Sequence, residues 1–157
     1  MIASPCCLIL LGMPASGKST LGQRLAQKQG WHFVDLDHAI ATHYGASIGQ
    51  IFAQEGEQEF RKLEAQTLRN LRFGDNTVLS VGGGTPCFHQ NIAYLNTLGY
   101  TVFVDTPLPV IVERTLAAPD ERPLYQGLSV DAVTQKVDAL YQARLPYYLQ
   151  ARYRYVP

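Results

Sequence analysis

The sequence predicts an α/β fold in which a mostly parallel sheet is covered by helices on both faces. Three observations carry that prediction. Short apolar runs recur along the chain, helical periodicities fill the gaps between them, and glycines or aspartates follow the runs. Strands that alternate with helices are joined by crossovers, which suit a parallel sheet buried on both sides.

The first run, "CCLILL" (6–11), is apolar at every position and ends at Gly12, as a strand buried on both faces would. Lys18 to Gln29 reads as a helix with Leu21, Leu25 and Ala26 on one face and Gly30 as its stop. "WHFVDLD" (31–37) reads as a second strand, "TVLSV" (77–81) and "YTVFVD" (100–105) as two more, and "RYRYV" (152–156) as a fifth. Helical patterns occupy 48–53, 58–72, 88–97, 107–117 and 129–149. No repeat, low-complexity tract or linker interrupts the chain, so residues 1–157 are expected to form a single domain. Ligands of such sheets bind beyond the carboxyl ends of the strands. Gly12, Asp35 to Asp37, Gly82 to Gly84 and Asp105 all fall at such ends.

Composition narrows the partners. Hydrophobic residues make up 46% and charged residues 17%, the values of an ordinary soluble protein. Thirteen basic and thirteen acidic residues cancel, so no global charge attracts nucleic acid or an anionic membrane. Cys6, Cys7 and Cys87 are odd in number and lack C-x-x-C spacing, as expected of reduced thiols in the cytoplasm. No positive n-region precedes the first apolar run, and no run approaches the roughly eighteen residues of a membrane span. His32, His38, His43 and His89 show no convergent ligand spacing, and the C-terminal tyrosines read as packing residues.

"GMPASGKST" (12–20) is the strongest chemical signal. Gly12 to Ser19 fits G-x-x-x-x-G-K-[ST] between a strand and a helix, the context that a phosphate-binding loop requires. The residues Gly12, Met13, Pro14, Ala15, Ser16, Gly17, Lys18, Ser19 and Thr20 are therefore expected at the phosphates of a nucleotide. Backbone N–H groups and the helix N-terminus supply positive potential, Lys18 reaches the β/γ oxygens, and the Ser19 hydroxyl binds Mg²⁺.

The later motifs concern what lies opposite the phosphates. In "DLD" (35–37), an extended chain would point Asp35 and Asp37 the same way, one toward a metal's water shell and one toward a substrate hydroxyl. The competing reading is an Asx turn with Asp37 as helix cap. In "EGEQEFRKLE" (55–64), Arg61 and Glu64 are spaced to pair on a helix, which would hold the guanidinium for a planar anion; a solvated face is the bland reading. The glycines of "SVGGGT" (80–85) permit close backbone approach to a ligand, or form a loose turn. "PDERPLYQG" (119–127) reads either as a plain surface loop or as a mobile lid whose Arg122 swings onto a transferring phosphoryl group. "ARLPYYLQA" (143–151) sets Arg144 near the end of the last helix.

Taken in order, "GMPASGKST", "DLD", "EGEQEFR", "GGG", "RPL" and "R-L-P-Y" resemble the shikimate kinase family within the nucleoside-monophosphate-kinase-like group, from about Leu8 to Val156. The resemblance implies a five-stranded parallel sheet with a central P-loop, a substrate-binding helical region at about 35–64 and a lid at about 118–128. It implies a monomer that uses ATP and Mg²⁺ to phosphorylate the 3-hydroxyl of shikimate, giving shikimate 3-phosphate and ADP in aromatic amino acid biosynthesis. By the same resemblance, Asp35 acts in the metal's outer shell and Asp37 holds ring hydroxyls and accepts the attacking proton. Arg61 and Arg144 bind the carboxylate, Gly82, Gly83 and Gly84 line the site, Arg122 is the lid arginine, and Arg114 in "VERT" packs on adenine.

Two departures qualify it. The family usually carries glycine at Ala15, and its last helix, with the loop before it that helps hold adenine, has no counterpart before Pro157. Weaker nucleotide binding or lower stability is the expectation. Two rival readings are another small-molecule kinase on this fold, of gluconate or nucleotide type, and a non-catalytic nucleotide-binding paralogue.

Overall fold

The first apolar run folds as β1 (Cys7–Leu11) in the computed structural model, which describes residues 7–157. Cys6, the first residue of the strand expected there, lies outside the described residues. Every position of β1 is apolar because both faces are covered. Ile9 and Leu11 join the larger core, and Leu10 joins a smaller one on the opposite face.

Four more strands are β2 (His32–Asp35), β3 (Thr77–Ser80), β4 (Tyr100–Val104) and β5 (Tyr153–Tyr155). They pair in the order β2-β3-β1-β4-β5, and every pairing is parallel. β1 is central, so the loop leaving it sits in the middle of the carboxyl rim.

The helices divide unequally between the two faces. α1 (Lys18–Gln29) covers one face, with Ala26 buried against Leu10, Val78 and Val104. The larger core packs α2 (Leu36–Tyr44), α3 (Ile48–Asn70), α4 (Asn91–Leu98), α5 (Leu108–Ala117) and α6 (Val130–Tyr148) against the other. Among the described residues, no helix is long and apolar enough to cross a membrane.

Two expected elements change. The strand expected over 31–37 stops at Asp35, because that carboxylate accepts a hydrogen bond from the His38 backbone N–H (3.1 Å) and caps α2, a helix that only the competing reading of "DLD" implied, and with Asp37 as its cap. The helix expected from Phe88 begins only at Asn91, because His89 and Gln90 adopt left-handed backbone angles (φ 48° and 55°) that interrupt helical hydrogen bonding. The two helices expected over 48–53 and 58–72 are the two halves of α3, which breaks at Gly56 (φ 79°, ψ 170°), a conformation that essentially only glycine adopts.

Candidate active site

The loop between β1 and α1 is shaped by its own backbone. Gly17, the N-cap of α1, is left-handed at φ 84°, and the Leu21 N–H bonds its carbonyl at 2.9 Å. Thr106 Oγ1 donates to the Ser16 carbonyl (2.7 Å) and Arg114 Nη1 to that of Ala15 (3.1 Å), which ties the loop to the far side of the cleft. Ala15 to Thr20 line that cleft of about 820 Å³, whereas Met13 turns its side chain into the core. Pro14 lies on Gly83 instead of in the cleft.

Ala15 has φ 65°, so the position where the family usually has glycine is a left-handed one. An L-residue there costs about 1–2 kcal/mol, partly offset by the lower unfolded-state entropy of alanine. Ala15→Gly is therefore expected to raise stability by about 1 kcal/mol, roughly 2–4 °C in Tm for a chain of this size. Thermal and urea melts check it, and an unchanged or lower midpoint would contradict the strain.

The donor-side polar groups are set by strand register. Asp35 and Ser80 are partners across β2 and β3, and Ser19 reaches both: its hydroxyl donates to Asp35 Oδ2 (3.0 Å) and lies 3.1 Å from Ser80 Oγ. These three side chains offer oxygen donors, the set that suits a small divalent cation such as Mg²⁺. Lys18 is buried and its Nζ donates to the Met13 carbonyl at 3.2 Å. Burial lowers its pKa from 10.5 to about 8, against the opposing pull of Asp37 and Asp35.

Asp37 is in the first turn of α2, not on an extended strand, so the alternation expected to align it with Asp35 does not operate. Nor does Asp37 cap the helix; Asp35 does. The bend from strand to helix sends Asp35 to Ser19 and places Asp37 against Gly82. Burial, then the charges of Asp35 and Glu64, raise the Asp37 pKa to about 6. That is the range of a general base working near neutral pH.

The triple glycine explains itself by close approach. A Cβ on Gly82 would stand 3.0 Å from Asp37 Oδ1, one on Gly83 would stand 2.6 Å from Pro14 Cδ and 3.0 Å from Arg144 Nη1, and one on Gly84 would collide with the Arg61 guanidinium. The loop thus lies against all three acceptor-side candidates at once. Arg61 is buried, donates to Glu64 Oε1 at 3.0 Å and lies over the Phe88 ring with its Cζ 4.4 Å from the centroid. Glu64 is held in turn by the Thr85 hydroxyl (2.8 Å). The bland reading of this helix as a solvated face is excluded at both residues.

Buried side-chain donors without a hydrogen-bond partner among the described residues are Arg61 Nε, Arg122 Nε, Arg144 Nη1 and the Ser16 hydroxyl. Buried donors are normally paired, so the unsatisfied guanidinium N–H groups of Arg122 at the cleft and of Arg61 and Arg144 at the glycine loop suit anions. Arg122 stands between two short 3-10 turns, Pro119–Glu121 and Pro123–Tyr125, and lines the cleft with Lys18 and Arg114. The 118–128 segment is therefore partly ordered by its own turns, and Lys136 Nζ donates to the Leu124 carbonyl at 2.9 Å.

Several site residues were not identified from the sequence. Ser80, Thr85 and Thr106 are small hydroxyl residues just at or beyond strand ends, a placement that could have drawn notice once the strands were assigned. Tyr155 also lines the nucleotide-sized cleft. α2 itself had a signal in Leu36 and Ile40, four apart, followed by Gly45 as its left-handed stop.

A central phosphate loop on an all-parallel sheet, opposed by an aspartate and arginines from two helices, defines a P-loop kinase of the nucleoside-monophosphate-kinase-like fold. The family model for shikimate kinase matches residues 14–156. Shikimate kinase from Bacteroides fragilis is 36% identical over 148 residues, covering 94% of this chain and 83% of that protein. Its counterpart in Neisseria meningitidis serogroup C is 40% identical over 143 residues, 91% and 82% of the two chains. The crystal structure of shikimate kinase from Bacteroides thetaiotaomicron superposes with a TM-score of 0.92 at 34% identity, covering 96% of this chain and 86% of that one. The shikimate kinase of Acinetobacter baumannii in complex with shikimate gives 0.86 at 35% identity, covering 97% and 83%. The chain belongs to the shikimate kinase family.

Proposed function

We propose that this protein transfers the γ-phosphoryl group of ATP to the 3-hydroxyl of shikimate, giving shikimate 3-phosphate and ADP for aromatic amino acid biosynthesis. The observation that supports it best is on the acceptor side. Arg61 from α3 and Arg144 from α6 meet the Gly83–Gly84 backbone beside Asp37, each with a buried N–H still to be paired. Two guanidinium groups and one carboxylate complement a small molecule with a carboxylate at one end and hydroxyls at the other.

In this reading Arg61 and Arg144 hold the carboxylate, while Gly82, Gly83 and Gly84 let the ring approach. Asp37, ionised above about pH 6, orients the 3-hydroxyl and takes its proton. The hydroxyl oxygen forms a bond to the γ-phosphorus as the bond to the β–γ bridging oxygen breaks, and ADP leaves with that electron pair. Lys18 and Arg122 offset the charge on the transferring group, Arg114 packs on adenine, and the P-loop amides hold the phosphates. Ser19 would hold Mg²⁺ directly and Asp35 through its water shell; when bound, the ion screens charge on the β- and γ-phosphates. Residues 1–157 act as one domain, with the acceptor region at about 35–64 and 118–128 as the lid. The protein works as a cytoplasmic monomer.

The test is ADP release measured with shikimate, gluconate and nucleoside monophosphates as acceptors. Turnover with shikimate alone is expected. Turnover with another acceptor in its place would assign a different small-molecule kinase, and silence with all of them would favour a nucleotide-binding module.

A further inference from the structure

Tyr148 sits four residues after Arg144 near the end of α6 and is completely buried, at 0% exposure. Its ring packs on Phe103 of β4 with centroids 5.0 Å apart. Its hydroxyl donates a 2.6 Å hydrogen bond to the Gly83 carbonyl. Burial raises the phenol's pKa far above its usual value, so the group stays a protonated donor.

Gly83 is a junction. The space a Cβ would need there is filled by Pro14 of the phosphate loop on one side and by Arg144 Nη1 on the other. The carbonyl that Tyr148 holds therefore belongs to the peptide lying between the donor loop and an acceptor arginine. α6 needs such an anchor at this point. Pro146 lies inside the helix and supplies no backbone N–H, so the Gln142 carbonyl one turn earlier lacks its ladder partner.

We propose that Tyr148 is a positioning residue for the acceptor: its bond to Gly83 sets the height of the glycine loop and of Arg144 relative to the phosphate loop. The proposal rests on the assignment of shikimate as acceptor. Tyr148 acts on substrate only through Gly83 and Arg144, so its effect falls on acceptor binding and leaves nucleotide binding alone.

Tyr148→Phe keeps the ring and its packing on Phe103 and removes only the hydroxyl, leaving the Gly83 carbonyl without this partner. The expected result is a rise of about tenfold in KM for shikimate, with KM for ATP unchanged within about twofold, at a temperature well below the variant's Tm. A lower Tm with both KM values unchanged would make Tyr148 a packing residue only and overturn the proposal. An equal rise in both KM values would overturn it as well, because the effect would then not be confined to the acceptor. Wild-type turnover, measured alongside, separates the two claims. An inactive wild type overturns the acceptor assignment and this proposal with it, whereas an active wild type and an unsplit variant overturn this proposal alone.

Discussion

Lys18→Met is expected to lower kcat by roughly a hundred- to a thousandfold, the loss typical of removing a preorganised charged donor from a transition state. The expectation follows from the surroundings of the ammonium. Lys18 is buried, its Nζ is held by the Met13 carbonyl at 3.2 Å, and it lines the cleft at the end of the β1–α1 loop. In such a site a fixed positive charge acts with little solvent screening on the charge that develops during transfer. Methionine keeps the length of the stem, so packing is largely conserved. Burial also lowers the pKa of Lys18 to about 8, which means that the folded chain binds this proton less tightly than the unfolded chain does. The penalty is fully present below about pH 8 and is relieved as pH rises toward 10.5. The variant should therefore melt no lower than wild type at pH 7 although it turns over far more slowly. Steady-state kinetics and thermal melts check both halves. Unchanged turnover would refute the phosphate-loop assignment.

Asp37→Asn is the second large effect, with kcat falling by about a hundred- to ten-thousandfold if the carboxylate is the general base. Here too stability should move opposite to activity. The Asp37 pKa is raised from 3.8 to about 6, so the folded state binds the proton more tightly than the unfolded chain. The favourable contribution is complete below pH 3.8 and is lost as pH rises through about 6, leaving a buried negative charge beside Asp35 and Glu64. Asparagine removes that charge. The variant is expected to melt higher than wild type at pH 7–8, with the difference shrinking toward pH 4, and the wild-type rate should fall on the acid side near pH 6. A variant that retains kcat, or a wild-type rate flat from pH 5 to pH 8, would remove Asp37 from the role of base.

Both effects arise at positions where local sequence pattern and tertiary environment contribute differently. The order of the strands in the chain, the P-loop and its lysine could be read directly, because they rest on short-range rules. An unbroken apolar run reports burial on both faces, and Gly-Lys-Ser at a helix start reports anion binding. The break at Gly56 was visible in the same way, as a gap between two helical periods. By contrast, "DLD" reads either as strand through Asp37 or as a turn and helix cap, since nothing within seven residues distinguishes a strand end from a cap that turns the chain into α2. Phe88 to Gln90 looked helical because left-handed angles at His89 and Gln90 leave no trace in apolar spacing.

The residues proposed for the acceptor show the same division. The spacing of Arg61 and Glu64 predicts a pair, but spacing cannot separate a buried pair from a solvated one; only the fold places Arg61 over the Phe88 ring and Glu64 at the Thr85 hydroxyl. Ser80 takes its place next to Asp35 through register between β2 and β3, a pairing of residues 45 positions apart in the chain. The chain alone therefore specified a parallel α/β sheet with a phosphate loop at its centre, since each of those features is a pattern of neighbours in sequence. It could not specify the raised pKa of Asp37, the strain at Ala15 or the bond from Tyr148 to Gly83. Those depend on burial and on contacts between distant segments, which exist only after the strands have paired and α6 has packed across their carboxyl ends.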